Sequence, residues 1–253
     1  MNTLFLAWQD QAGTRRWFVI GRLDRTGEGY QFQYVNQVHT ALSHGFQLLP
    51  EFEFLEDKYQ SNRLFPLFEN RLLSRARPDY AEFLDRLALS AQDDDPMNVL
   101  ARTEGLRTTD SFEVFPKPEP DPDGNYHLVF FARGVRHLPS ETEEFIQSLH
   151  PGDRLDIIPD TGSEFDCNAL LMCGDGTKVG WVPRYLCPDV KRLESDAPQT
   201  LDVRVERVNP APAPVQQRLL CSLTAPWPSS WEPFSDEEFQ GVFESTPPRR
   251  KAS

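Results

Sequence analysis

Apolar residues alternate with polar ones, or run unbroken over short stretches, through the opening of the chain. Leu4–Trp8, Arg16–Arg22 and Gly29–Tyr34 read as strands, separated by turns at Gln11-Ala12-Gly13 and Arg25-Thr26-Gly27. The period then lengthens. Pro66–Leu73 carries an apolar stripe at helical spacing. Tyr80, Phe83, Leu84 and Leu87 stand at i, i+3, i+4 and i+7, one buried helix face behind Pro78, which suits a first helical position. Asp95-Pro96 has the form of an N-cap followed by proline in the first turn, with Val99 and Leu100 facing the core. Ser111–Phe115 closes this part as a strand.

Alternating prolines from Pro116 to Pro122, followed by an Asp123-Gly124 turn, mark a boundary. Beyond it the pattern is mostly β. Tyr126–Ala132 is a strand, and Ser140-Glu141-Thr142-Glu143 has the form of a capping box that starts a helix running to Leu149. Pro151-Gly152-Asp153 turns the chain into a strand over Arg154–Ile158. Asn168–Cys173 and Lys178–Val182 form a hairpin around Gly174-Asp175-Gly176. Pro183–Leu186 begins a short helical turn, and Leu201–Asn209 and Arg218–Ala225 are two more strands. Short strands in this number predict a small barrel. From Trp227 onward prolines, serines and acidic residues dominate, which predicts a poorly ordered tail. Its aromatics either pack back on the barrel or form a partner-binding peptide. The expected fold class is α+β: a mixed sheet with helices over residues 1–117, a small β-barrel over 118–226 and an acidic, aromatic, proline-rich tail over 227–253.

Composition narrows the function classes. The chain has 253 residues and a formal net charge of −13, so many Lys/Arg–phosphate contacts to a long duplex are excluded. A DNA end or a short single strand needs only a few local groups, and acidity also suits a protein partner with a basic surface. The four cysteines form no C-x-x-C pair, so neither zinc nor a disulfide framework is expected. The opening residues read as a strand and not as a signal peptide, and no apolar run is long enough to cross a bilayer. A cytoplasmic protein without membrane attachment is expected.

Three short segments carry the chemistry. Gly134-Val135-Arg136-His137 follows a strand. Phe165-Asp166-Cys167-Asn168-Ala169 sits in a loop, and Val179-Gly180-Trp181-Val182-Pro183-Arg184 ends the hairpin. The loop sets an aromatic ring beside a carboxylate. A ring stacks on a base, and a carboxylate accepts hydrogen bonds from hydroxyls. The same residues equally suit a structural part: Gly134, Gly180 and Pro183 shaping turns, Asp166 and Asn168 bonding their own loop, Phe165 in the core.

Residues 126–226 resemble the HIRAN domain, a compact β-barrel found alone in bacteria and at the front of helicase-like repair proteins. Gly134-Val135-Arg136 looks like the family's Gly-x-Arg. Residues 165–169 resemble its aromatic-Asp-x-Asn-Ala loop, and residues 179–183 its Val/Ile-Gly-aromatic-x-Pro element. Gly152-Asp153-Arg154-Leu155 fits its Gly-Asp-x-Leu step. The resemblance implies a non-catalytic module that holds a single-stranded DNA 3′ end. Arg136 would contact phosphate, Phe165 would stack on a base and Asp166 would accept from the terminal hydroxyl, with His137, Trp181 and Arg184 nearby. His137 stands where DNA-gripping members have a second aromatic, and Glu164 where the loop usually has proline.

Residues 3–116 are similar to the N-terminal subdomain of HipA-type toxin kinases. Leu64–Leu73 resembles the family's Pro-x-Phe-x-Asn-Leu-Leu helix, and Asp110-Ser111-Phe112-Glu113-Val114 its turn into the last strand. The kinase core, with its nucleotide-binding lysine, catalytic aspartate and metal motif, has no counterpart in the sequence. The resemblance implies an alternative function: a regulatory or adaptor subunit in a toxin–antitoxin or phage-defence setting, docking a protein such as a HipA-like kinase. No enzymatic activity and no cofactor or metal is expected. Glu141, Glu143 and Glu144 read as a solvated helix face, the five histidines lack ligand spacing, and the Gly-Glu-Gly and Gly-Asp-Gly segments are hairpin turns.

Overall fold

The computed structural model describes residues 2–162 and 168–242. The protein is α+β with antiparallel sheets, in two compact units. The first holds residues 2–77, 94–117 and the described residues from 232 on. The second holds Pro78–Asp93 and the described residues of 118–231.

In the first unit, β1 (Thr3–Gln9), β2 (Trp17–Thr26) and β3 (Gly29–Tyr34) form a meander. The period-2 alternation sends Leu4 and Leu6 to one face, with Phe18, Ile20 and Phe32, and Phe5 to the other. Helix α1 (Val38–Ser43) follows, then the short edge strand β4 (Tyr59–Ser61) and the single turn α2 (Pro66–Glu69). The stripe over Pro66–Leu73 predicts a longer helix. It stops at Glu69 because Arg71 turns inward, donating from Nη1 to the Gly105 carbonyl at 2.7 Å and from Nη2 to Asp110 Oδ2 at 2.7 Å. Helix α3 (Tyr80–Arg86) belongs to the second unit. It begins after Asp79 and not at Pro78, and buries Phe83 and Leu84. Back in the first unit, α4 (Pro96–Thr103) starts as its sequence predicts: the Asp95 carboxylate accepts from the Met97 amide at 2.9 Å. Strand β5 (Phe112–Pro116) pairs with β1, giving the sheet order β4-β3-β2-β1-β5. Val38, Ala41, Phe68, Met97 and Leu100 from the helices close the core over one sheet face.

That core holds a hydroxyl. Tyr34 is fully buried, donates to the Phe52 carbonyl at 2.9 Å and accepts from the Leu49 amide at 2.9 Å. Burial disfavours the phenolate and pushes its pKa up to about 12. The folded value thus lies above the unfolded one. The stabilisation is complete below the unfolded value near pH 10 and is lost as pH rises toward 12. Urea unfolding across that window is expected to show a loss on the order of 2 kcal/mol. Tyr34→Phe starts less stable but shows a flatter slope. Equal slopes would mean that the ring is not sequestered in the folded state.

The second unit contains β6 (Asn125–Phe131), α5 (Ser140–Ser148), β7 (Asp156–Pro159), β8 (Leu170–Gly174) and β9 (Thr177–Trp181). After them come α6 (Cys187–Asp196), β10 (Asp202–Val208) and β11 (Leu219–Pro226). The β8–β9 hairpin turns on Asp175 and Gly176, both at positive φ (46° and 78°), the pairing that a two-residue mirror-image turn requires. The expected capping box does not form. Pro139 is the cap of α5, and Ser140 Oγ donates instead to the Glu141 carboxylate at 3.4 Å.

The strands do not close into the expected barrel. They form two three-stranded sheets, β10-β11-β6 and β7-β8-β9. Among the described residues the sheets meet through a bridge of Arg133 with Trp181, and along 152–155, where Gly152 and Leu155 donate to the Val205 and Val203 carbonyls and Val205 donates to the Asp153 carbonyl, each at 2.8 Å, around the Arg154–Arg204 bridge. The physical reason is local: Gly134 takes left-handed backbone immediately after the Arg133 bridge (φ 71°), and the pairing along 152–155 stops before β7 begins at Asp156, so neither seam becomes a full strand ladder. Tyr126, Phe130, Met172, Val179, Val190, Leu193 and Leu223 fill the space between, with α6 supplying a helical wall that its sequence had not announced. Tyr126 donates to Asp189 Oδ2 of α6 at 3.1 Å, and burial pushes that phenol well above its ordinary range. Helix α3 docks through Asn209, whose side-chain amide donates to the Arg86 carbonyl at 3.0 Å, and through an Arg207–Asp85 ion pair.

The residues after Pro226, read as a poorly ordered tail, have partners as far as Val242. Trp227 stacks on Tyr126 with ring centroids 6.0 Å apart. Trp231 lies under the Arg192 guanidinium at 4.2 Å and donates its indole N–H to Asp196 at 2.6 Å. From Glu232 the chain belongs to the first unit. Among the described residues Cys173, Cys187 and Cys221 are free and buried, no group of acids, histidines and cysteines could hold a metal, and no helix is long and apolar enough to cross a membrane.

Candidate nucleic-acid interface

Gly134, three residues past the end of β6, opens a 3-10 turn over Val135–His137, closed by the His137 amide donating to the Gly134 carbonyl at 2.8 Å. A Cβ at Gly134 would lie 2.4 Å from Trp181 Cε3, so the indole rests on the glycine itself. The strand ends beneath are tied by two backbone bonds between Arg133 and Trp181, 2.8 and 2.9 Å. Gly180 permits this approach. At φ 154°, a Cβ there would meet the Ala132 methyl at 2.9 Å and the Arg133 carbonyl at 3.0 Å.

The third segment joins through Asp160. Its amide donates to the Ala169 carbonyl at 2.9 Å, closing the stem of the loop between β7 and β8. Its Oδ1 accepts from the Gly162 amide at 3.2 Å, and its Oδ2 accepts the Trp181 indole N–H at 2.8 Å. One residue therefore fixes both: its amide closes the stem and its carboxylate holds the ring. At the far side of the loop, Asn168 Oδ1 accepts from Lys191 Nζ of α6 at 2.8 Å. Neither Asp160 nor Lys191 was singled out from the sequence. An Asx-turn signal, Asp160-Thr161-Gly162, was present, but its reach to Trp181 is long-range.

Cross-strand register sets Arg133, Trp181, Leu171 and Ile158 in one row, and directly opposed residues share a sheet face. The opposite face carries Leu170, Met172 and Val179 into the core. The row offers a half-buried indole and an exposed Ile158 (43%). Arg136 and His137 are exposed beside it. Arg136 Nε donates to His137 Nε2 at 3.0 Å, which holds the imidazole beside the guanidinium. Arg184 is exposed at the start of the 3-10 turn that follows buried Pro183.

Of the residues singled out from the sequence, Trp181 is tied to the loop stem through Asp160, Arg136 and His137 follow the Gly134 that the indole rests on, and Arg184 lies three positions beyond Trp181 in the chain. Phe165 and Asp166 lie outside the described residues. Glu143, read as part of a solvated face, instead pairs with the buried Arg218 at 2.6 Å.

No family model matches the sequence, and no curated protein matches it. Two solved structures are similar. The HIRAN domain of human HLTF is 13% identical, with a TM-score of 0.30, over 42% of this chain and 81% of that one. A protein from Lactobacillus plantarum is 19% identical, also with a TM-score of 0.30, over 40% of this chain and 99% of that one. Likenesses of this size place no residue.

Proposed function

We propose that the second unit is a binding module for the 3′ end of single-stranded DNA, as the HIRAN resemblance of its three motifs implies, and that its role is binding rather than catalysis. The observation that carries the reading is the Gly134–Trp181–Asp160 junction. It draws motifs separated along the chain to one place, with the Arg136 guanidinium exposed at its edge. Arg136 contacts a phosphate near the terminus, Trp181 and Ile158 offer an apolar row beside the loop, and Phe165 and Asp166 take the last base and its hydroxyl. The exposed Arg136, with Arg133 two residues before the turn it sits in, suits one or two phosphates on a chain whose overall charge is −13.

Fluorescence anisotropy with short labelled oligonucleotides tests the reading. A free 3′ hydroxyl is expected to bind more tightly than the same strand ending in a 3′ phosphate. Arg136→Ala is expected to weaken binding about tenfold and to flatten the salt dependence by the share of roughly one phosphate contact. Equal binding of blocked and free ends, or no binding at low salt, would overturn it.

A further inference from the structure

The face of the first unit turned away from its helices is aromatic. Phe5 of β1 and Phe115 of β5 are direct cross-strand partners, and each is 1% exposed. What covers them is the chain's own segment 232–242. Phe234 sets its ring 5.4 Å from Phe5 and 5.3 Å from Phe115, and Phe239 lies 5.6 Å from Phe5. Glu232 pairs with Lys117 at 2.6 Å. Farther along, the segment runs beside residues 35–37. The Asn36 amide donates to the Gln240 carbonyl at 2.9 Å, the Gln37 amide to the Glu238 carbonyl at 3.0 Å, and Val35 bridges Gly241. The Gln37 side chain donates to Glu238 Oε2 at 2.7 Å.

These are contacts a bound peptide also makes: main-chain bonds to the turn between β3 and α1, two aromatic anchors and a charge pair at one end. Val242 at the end of the segment is buried in the core of the unit at 4%, but the stretch before it carries two features that loosen its hold. Phe234 adopts left-handed backbone (φ 52°), which a bulky side chain disfavours. Glu232, Asp236, Glu237 and Glu238 crowd negative charge along one short stretch, and all four are exposed.

We propose that the Phe5–Phe115 face is a peptide-docking surface that the protein occupies in cis with residues 232–242. Its partner in trans is an acidic segment of another protein carrying two phenylalanines spaced as Phe234 and Phe239 are. The partner adds its main chain beside residues 35–37, seats both rings on the aromatic pair and salt-bridges Lys117. Because the internal segment is part of the same chain, it competes intramolecularly, and it masks the surface until a competitor of matching pattern displaces it.

The test uses the full chain and a fluorescein-labelled synthetic peptide with the sequence of residues 230–242. Wild-type protein is expected to bind the peptide weakly. The double variant Phe234→Ala/Phe239→Ala, whose own segment has lost its anchors, is expected to bind about tenfold more tightly or better. A peptide lacking both phenylalanines is expected not to bind. Should the double variant fail to fold, Glu232→Lys decides in the same way. That residue is exposed, and reversing its charge sets it against Lys117, so the wild-type peptide should gain affinity there too. A folded variant that binds the peptide no better than wild type would overturn the proposal and make the segment a fixed part of the fold. Wild-type dimers that grow with concentration and vanish in Phe234→Ala/Phe239→Ala would overturn the assignment of the partner in favour of a second copy of this chain.

Discussion

Gly134→Ala is expected to lower the stability of the second unit by about 3 kcal/mol and to weaken oligonucleotide binding more than Arg136→Ala does. Two costs add. The residue sits at φ 71°, where any side chain strains the backbone. A methyl there would lie 2.4 Å from Trp181 Cε3 and 2.8 Å from Cζ3. Left-handed backbone costs a non-glycine residue of order 1 kcal/mol, and forced overpacking typically about 1–3 kcal/mol more. The ring has little room to retreat. Its N–H is bonded to Asp160, and its backbone is paired with Arg133 on both sides. Gly124 supplies the control. It has a similar φ of 79°, but a Cβ there meets nothing within 4 Å. Gly124→Ala should therefore cost only about 1 kcal/mol, the backbone share. Urea unfolding at unchanged m-value separates the two variants. If they lose the same stability, the indole moves freely and the junction does not position anything.

Much of the protein was legible in its hydrophobic pattern, and the failures have identifiable causes. Strands β1, β3, β6, β8, β9, β10 and β11 fall within a residue or two of their expected places, because alternation and turn residues are local signals. Helix α4 was marked by Asp95-Pro96, whose cap forms as read. Helix α6 was missed, although Cys187, Val190 and Leu193 stand three residues apart and are buried. Its charged remainder and Pro188 resemble a turn when read alone. The barrel failed for a different reason. Every strand of that unit was visible, but closure depends on how two edges meet, and the short seams at Arg133 and Arg154 leave no mark in composition.

The site shows the same division. Gly134, Gly180 and Trp181 stood out as motif residues, and the close approach between β6 and β9 explains why glycine is needed at both positions. Asp160 did not stand out, since its importance lies in a bond to a ring 21 positions away. The segment after Trp231 was read by its prolines and acids. What holds it is the Phe5–Phe115 pair, more than a hundred positions away in the sequence, and no local rule connects them.

Arg71→Met is expected to cost the first unit about 3–4 kcal/mol and to lower its melting temperature by roughly 10 °C or more. The side chain is only 2% exposed. It binds Asp110 through both terminal nitrogens, at 3.3 and 2.7 Å, reaches the Gly105 carbonyl at 2.7 Å and lies over the Phe112 ring at 5.6 Å. Methionine fills much of the volume but leaves the Asp110 carboxylate and the Gly105 carbonyl without the guanidinium. Breaking a buried pair from one side costs about 3–5 kcal/mol, and the figure sits toward the lower end here because Asp110 is 24% exposed and also accepts from the Phe112 amide. Removing the orphaned charge as well should restore part of the loss. Arg71→Met/Asp110→Asn is expected to recover about half of it, since an amide keeps the Phe112 bond without demanding a cation. A double variant as unstable as the single one would show that the guanidinium acts through its packing on Phe112 and its bond to Gly105, and that the ion pair itself contributes nothing.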